Sequence, residues 1–204
     1  MNWNLLFNYV RPQYIIDIGA HIGSFSHTLK YYYPGCNCYM IEANPYCEEH
    51  LSKLNIPYTI AALSSEEKTT SLYLEKTNNI GTGTSLYKEN TQYYEEGKYT
   101  VLDVQSRILD SLNIFPNITI DLIKLDTQGS ELDILEGGYE TIKRTQYLLL
   151  EVSLLEYNQK APLVDTIVDK LRKLNFKIED ILDYHYISDK HIFQLDILFK
   201  NLNI

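Results

Sequence analysis

The chain lacks any apolar run near the roughly 20 residues needed to cross a bilayer, so no membrane span is expected. It also lacks a surplus of positive charge. Eighteen Lys and Arg stand against 27 Asp and Glu, for a net charge of -9. Nucleic acid and anionic membranes need basic surface, so neither is an expected partner. Cysteine is scarce and odd in number, with Cys36, Cys38 and Cys47. Cys36-x-Cys38 is too tight for a usual zinc pair and has no second pair to complete it. Three reduced thiols in a cytoplasmic protein are expected. Residues 1–14 show neither a basic n-region nor an apolar stretch long enough for a signal peptide. Without such a signal, Asn117-Ile118-Thr119 reads as a chance match to a glycosylation acceptor. Tyrosine is abundant, but so are Ile, Asn and Lys, and that bias deprives the Tyr count of meaning for ligand stacking.

What is present is an ordinary globular composition over 204 residues, 45% hydrophobic and 22% charged. That length favours one domain, spanning 1–204. Apolar runs alternate with helical patterns, as in a parallel sheet covered on both faces. The spacing of Trp3, Leu6, Phe7 and Val10 predicts a docking helix within residues 1–13. Strands are expected near 14–18, 37–42, 58–62, 99–104, 120–125 and 147–152, and helices near 22–32, 107–112, 131–135 and 162–174. Two closing strands, about 176–182 and 192–199, predict an antiparallel hairpin at the sheet edge. Residues 64–98 are polar and without clear period apart from a short strand near 71–74, and read as a lid or substrate loop.

The most informative stretch is Tyr14-Ile15-Ile16-Asp17-Ile18-Gly19-Ala20-His21-Ile22-Gly23. An apolar run ending in Asp-x-Gly-x-x-x-Gly reads as a buried strand, a glycine turn and a helix start. Glycines there let a ligand approach the backbone. Glu42 closes the next apolar run, where a carboxylate suits the two hydroxyls of a ribose. A dinucleotide site would carry Gly-x-Gly-x-x-Gly facing a pyrophosphate. Here Asp17 takes the place of the first glycine. An anion there is a poor neighbour for phosphate and a better one for the amino group or sulfonium of S-adenosylmethionine.

Further segments extend the pattern in order: Ile41-Glu42-Ala43-Asn44-Pro45, Ala61-Ala62-Leu63-Ser64, Ile123-Lys124-Leu125-Asp126-Thr127-Gln128-Gly129-Ser130-Glu131, Leu135-Glu136-Gly137-Gly138, and Leu150-Glu151-Val152 with Tyr157. With these the chain resembles the FkbM-type S-adenosylmethionine-dependent methyltransferases over about residues 14–199. Lys-x-Asp-x-Gln-Gly-x-Glu is the specific part. The family commonly has Asn where this chain has His21. The resemblance implies an α/β class I methyltransferase fold, Rossmann-like, with strand order 3-2-1-4-5-7-6 and the last strand antiparallel. It also implies O-methylation of a small-molecule or glycan acceptor, often at a sugar hydroxyl.

On that fold Asp17, Gly19, Ala20, His21 and Gly23 are expected around the methionine part of the cofactor. Glu42 is expected at the ribose, and Ala62 and Leu63 at the adenine. Asp126 would lie beside the methyl donor as base or substrate anchor, with Gln128 positioning the acceptor. Lys124 is expected to pair with Glu131 or Glu151, or to touch substrate. A divalent cation on Asp126, Glu131 and Glu151 is compatible with the residue types but not required by the spacing. His185 reads as an exposed turn histidine within reach of the site. Two other readings stay open: an N-methyltransferase acting on protein, and a methyltransferase-like binding domain without turnover.

Overall fold

The computed structural model describes residues 1–188 and 190–204. In chain order the elements are α1 (Trp3–Tyr9), β1 (Tyr14–Ile18), α2 (Ser24–Tyr32), β2 (Asn37–Glu42), α3 (Glu48–Leu51), β3 (Tyr58–Ile60), β4 (Ala62–Leu63), β5 (Thr69–Glu75), β6 (Tyr99–Arg107), β7 (Ile120–Leu125), α4 (Glu131–Gly137), α5 (Tyr139–Lys143), β8 (Thr145–Ser153), α6 (Val164–Lys173), β9 (Phe176–Ser188) and β10 (His191–Asn201). The main sheet runs β3-β2-β1-β7-β8-β10-β9. β10 pairs antiparallel with both β8 and β9, while the other pairings are parallel. This is the strand order that the resemblance implies, with the antiparallel closing hairpin expected from the two terminal strands.

β1, β7 and β8 are apolar almost throughout because strands of a parallel sheet are covered on both faces. Alternation along the pleat splits them between two cores. Ile16, Ile18, Ile123, Leu125, Leu148 and Leu150 pack on the face of α4 to α6. Ile15, Leu122, Leu149 and Leu198 pack on the other, with Leu6 of α1 and Leu29 of α2. α1 begins at Asn2, whose side chain accepts a hydrogen bond from Leu5 N–H at 3.1 Å, an ordinary N-cap. No helix of the described residues is long and apolar enough to cross a membrane.

The largest departure from expectation lies in residues 58–107. The single strand expected at 58–62 is two, divided between sheets: β3 joins the main sheet, and β4 joins a small sheet of order β4-β6-β5. β5 and β6 pair over seven residues, Thr69↔Gln105 to Glu75↔Tyr99. Part of the segment read as an open loop is therefore strand. Its partner lies some thirty residues away, which a search for local periodicity does not register. The expected helix at 107–112 is a 3₁₀ turn, Leu109–Leu112. β9 runs six residues past the expected end and carries His185 inside the strand rather than in a turn.

Candidate active site

One cavity of about 600 Å³ opens at the carboxyl ends of β1, β2, β7 and β8, the place where open α/β sheets hold ligands. Its first wall is the turn after β1. Gly19 and Ala20 N–H both donate to Ile41 C=O, at 3.0 and 3.1 Å, and Asp126 N–H donates to Ile18 C=O at 3.1 Å. Gly19 has φ +75°, and a Cβ there would lie 1.8 Å from the Asp126 carbonyl oxygen. The glycine is thus demanded by the backbone of β7 as well as by any ligand. Gly23, at φ +82°, would drive a Cβ to 2.2 Å from Leu54 Cδ1; it answers to helix packing. Gly19, Ala20 and His21 line the cavity, whereas Asp17 and Gly23, expected beside them, lie behind its wall.

Glu42 ends β2 at the cavity edge. Its Oε2 accepts from His21 N–H at 2.6 Å and its Oε1 from Asn44 N–H at 2.8 Å. Burial raises its pKa, against the pull of these two N–H groups. Each oxygen keeps a second lone pair. Next to it Ala61, Ala62, Leu63, Leu72 and Ile134 form an apolar stretch of the cavity lining.

The opposite end is built from charged side chains on one face of the sheet. Asp17 stands beside Lys124 in the β1–β7 register, and Glu151 stands opposite Asp196 in the β8–β10 register. Asp17 is fully buried. Its Oδ2 accepts from Ser26 Oγ at 2.6 Å, and its Oδ1 has no hydrogen-bond partner among the described residues. Burial raises its pKa despite Lys124. Lys124 Nζ donates to Asp126 Oδ2 at 2.8 Å and lies 3.9 Å from Asp17 Oδ1. Burial alone would lower the lysine, but the two carboxylates raise it. Burial likewise opposes ionisation of Asp126, yet Lys124 and the Gln128 amide hold its pKa below the ordinary carboxylate value. Gln128 Nε2 donates to Asp126 Oδ1 at 3.3 Å and to Glu151 Oε1. Burial, then Asp126, with a smaller push from Asp196, move Glu151 up to about 8.

Two expectations are corrected here. Lys124 pairs with Asp126 and Asp17, not with Glu131. Glu131 Oε1 is occupied by its own turn, accepting from Thr127 N–H, Thr127 Oγ1 and Gly129 N–H at 3.0–3.2 Å, so it is turned away from Asp126 and Glu151. His185 is not an exposed turn residue: its Nε2 lies 3.3 Å from Asp196 Oδ1 and 3.4 Å from Glu151 Oε2.

Several lining residues were not named singly from sequence, although residues 64–98 were expected to form a lid or substrate loop. Residues 79–89 form a strap along the cavity. Its Ile80 C=O is bonded to His21 Nε2 at 2.6 Å and its Asn79 C=O to Asn44 Nδ2 at 2.7 Å. At the far end Ser85 Oγ donates to Gln128 C=O at 2.8 Å, and Tyr87 Oη donates to Asp133 Oδ2 at 2.8 Å. Trp3 of α1 stacks on Phe25 of α2 at 5.0 Å, and both rings line the cavity. Gln194 and Asp196 were also missed, although two polar residues two apart within the apolar run 192–199 were the available signal.

Comparison with known proteins agrees with this geometry. The family model described as the Methyltransferase FkbM domain matches residues 17–178. Among curated proteins, methyltransferase sdnD of Sordaria araneosa is 32% identical over 155 residues, covering 61% of this chain and 60% of that protein. The match therefore spans less than two thirds of that relative. Among solved structures, M. capricolum TrmK in complex with S-adenosyl-homocysteine superposes with a TM-score of 0.53 at 11% identity, covering 98% of this chain and 67% of that one. A TehB-like SAM-dependent methyltransferase from Corynebacterium glutamicum gives a TM-score of 0.53 at 10% identity, covering 97% and 85%. At such identities the likeness is one of fold, that of the class I S-adenosylmethionine-dependent methyltransferases.

Proposed function

The chain belongs to the Methyltransferase FkbM domain family, and from that premise we propose that it transfers a methyl group from S-adenosylmethionine to a hydroxyl, most naturally one of a sugar in a glycan, glycolipid or glycosylated metabolite. The observation that carries the proposal is the single cavity joining Glu42 at one end to Asp126, Gln128 and Glu151 at the other.

The residues present fit the cofactor. Glu42 retains lone pairs for a ribose diol, and the apolar stretch from Ala61 to Leu63 suits an adenine face. Near the β1 turn the buried Asp17 and the part-buried Asp126 share one lysine, and Asp17 Oδ1 has no donor among the described residues. That residual negative charge favours a cationic methionine end. When bound, S-adenosylmethionine supplies an electrophilic methyl on its sulfonium.

The chain's own residues orient and exclude water. Asp126, kept ionised by Lys124, is an acceptor for an acceptor hydroxyl. Gln128 holds Asp126 and Glu151 together and fixes the width of the acceptor end. Holding two reactants in line can contribute about 7–11 kcal/mol. The strap and the Trp3–Phe25 stack cover the site. An amine of a protein is the second reading, because Asp126, Glu151 and Asp196 also favour a cationic acceptor.

The test is turnover. The protein is incubated with S-adenosylmethionine and panels of glycosides, glycans and peptides, S-adenosylhomocysteine is quantified, and fragmentation mass spectrometry locates the added methyl. A methyl on a sugar oxygen supports the proposal. A methyl on a peptide nitrogen replaces it with the second reading. Cofactor binding without product on any acceptor leaves a binding domain.

A further inference from the structure

We propose that Glu151, His185 and Asp196 form a divalent-cation site at the acceptor end of the cavity. The three side chains come from three adjacent strands, β8, β9 and β10, and offer one imidazole nitrogen and two carboxylate oxygens lying within 4.8 Å of one another. His185 Nε2 is 3.3 Å from Asp196 Oδ1 and 3.4 Å from Glu151 Oε2. Metal–ligand bonds of about 2.0–2.2 Å place neighbouring ligand atoms about 3–3.5 Å apart. The two short sides of the triangle already have that spacing.

Independent support comes from the strand register. Glu151 and Asp196 are direct neighbours across the β8–β10 pair, and Asp183 stands opposite Asp196 across β9–β10. At this junction the Met1 amino group meets Asp183, and His185 stands between Glu151 and Asp196, where a cation would take the place of the proton they share. Lys124 lies outside this group, being committed to Asp126 and Asp17. Asp196 is only 8% exposed, so solvent screens it little. Orienting contacts are in place as well. The Gln128 amide takes Glu151 Oε1 and leaves Oε2 toward the triangle, and Gln194 Nε2 in turn donates to Gln128 Oε1 at 3.1 Å. Such outer contacts fix ligand orientation in metal sites. One imidazole with two carboxylates suits Mn²⁺, Zn²⁺ or Fe²⁺ better than Ca²⁺.

Glu151 and Asp196 also line the cavity, so coordination positions left open by the protein would face an acceptor. An acceptor oxygen held there would lose its proton more readily. That use of the ion rests on the hydroxyl reading above; the site itself rests on its ligands and register.

The test is direct binding of Mn²⁺ to the EDTA-treated protein, followed by the electron paramagnetic resonance signal of free Mn²⁺ and by calorimetry. Wild type is compared with His185→Ala, Asp196→Asn and Glu49→Gln, the last an exposed carboxylate of α3. Circular dichroism and thermal melting verify folding, and S-adenosylmethionine is titrated into the same samples. The expected result is one saturable Mn²⁺ per chain, weakened at least tenfold in both site variants and unchanged in Glu49→Gln. Absence of saturable Mn²⁺ or Zn²⁺ binding by folded wild type overturns the site, as does binding that both folded site variants retain at full strength. If only one site variant folds, that variant decides. The cofactor titration reports separately, so loss of the cation site and loss of the cofactor reading are distinguishable.

Discussion

The two ends of the cavity are held by different means. At the β1–β2 end the key contacts run from backbone N–H groups to one side chain or carbonyl: His21 and Asn44 to Glu42, Gly19 and Ala20 to Ile41. At the β7–β10 end they run between side chains: Lys124 to Asp126, Gln128 to Glu151, Gln194 to Gln128, His185 to Asp196. Backbone donors are fixed by the fold and fit a constant ligand. A side-chain network can be retuned residue by residue without moving a strand. The first end therefore suits an invariant cofactor, and the second suits an acceptor that differs between relatives.

The largest expected effect comes from Gly19→Ala, where the two ends share a wall. Left-handed backbone costs a non-glycine residue about 1–2 kcal/mol. The added Cβ would also overlap the Asp126 carbonyl at 1.8 Å, so the strand ends must part. A total loss above about 3 kcal/mol in urea unfolding is expected, with cofactor binding lost as well. A variant of wild-type stability and affinity would show that the ends are not mechanically joined there.

Lys124→Met isolates the charged end. Removing one partner of a buried pair costs about 3–5 kcal/mol, because the other charge is left uncompensated. Here two carboxylates, Asp17 and Asp126, are left. If stranded charge is the cause, Lys124→Met with Asp126→Asn should recover part of the loss. No recovery in denaturant midpoint would mean that Lys124 acts by packing, its Nζ lying 5.5 Å from the Phe25 ring centroid.

The same contrast explains what was legible in the sequence. The β1–β2 end is written in two short stretches, Asp17 to Gly23 and Ile41 to Asn44, whose contacts with each other lie within about one βαβ unit, whereas their contacts to Ile80, Asn79 and Asp126 do not. The alternation of apolar runs and helices, equally local, predicts only a parallel sheet covered on both faces; the strand order is what the resemblance to the FkbM-type methyltransferases implies. The β7–β10 end joins Lys124, Glu151, His185 and Asp196 across four strands and about seventy residues. Only the register decides that Glu151 meets Asp196, and only the turn hydrogen bonds from Thr127 and Gly129 take Glu131 away from Lys124. His185 was misplaced because β9 extends past an apparent turn at Tyr184-His185-Tyr186. β4 was obscured because it continues the run of β3 into a second sheet, and the pairing of β5 with β6 because long-range pairing leaves no period in the segment between them.

Glu42→Gln sharpens the comparison with a smaller effect. An amide keeps one acceptor for the two N–H groups and loses the charge. Hydrogen bonds to charged groups contribute about 1.5–3 kcal/mol, so calorimetric affinity for S-adenosylmethionine should fall roughly 10–100-fold. Stability should fall by about 1–3 kcal/mol as well, because the amide nitrogen would face one of the two N–H groups that Glu42 accepts from. Unchanged affinity in the folded variant would remove Glu42 from the cofactor site.

His21→Asn should have the smallest effect, because two changes oppose each other. His21 sits at φ +52°, a conformation that Asn adopts more readily than most residues, so the backbone gains. The bond from His21 Nε2 to Ile80 C=O at 2.6 Å is lost, because the shorter Asn side chain does not span that distance. A neutral hydrogen bond contributes about 0.5–1.5 kcal/mol net, similar to what the backbone recovers. Global stability and cofactor affinity should therefore stay within about threefold of wild type in equilibrium constant. The strap should not be spared: amide exchange across residues 79–84 should quicken, while Ser85, tied to Gln128 C=O, should hold. Exchange unchanged along the whole strap would show that the Asn44 contacts to Asn79 and Thr84 are sufficient to pin it, and that the histidine is a neutral replacement.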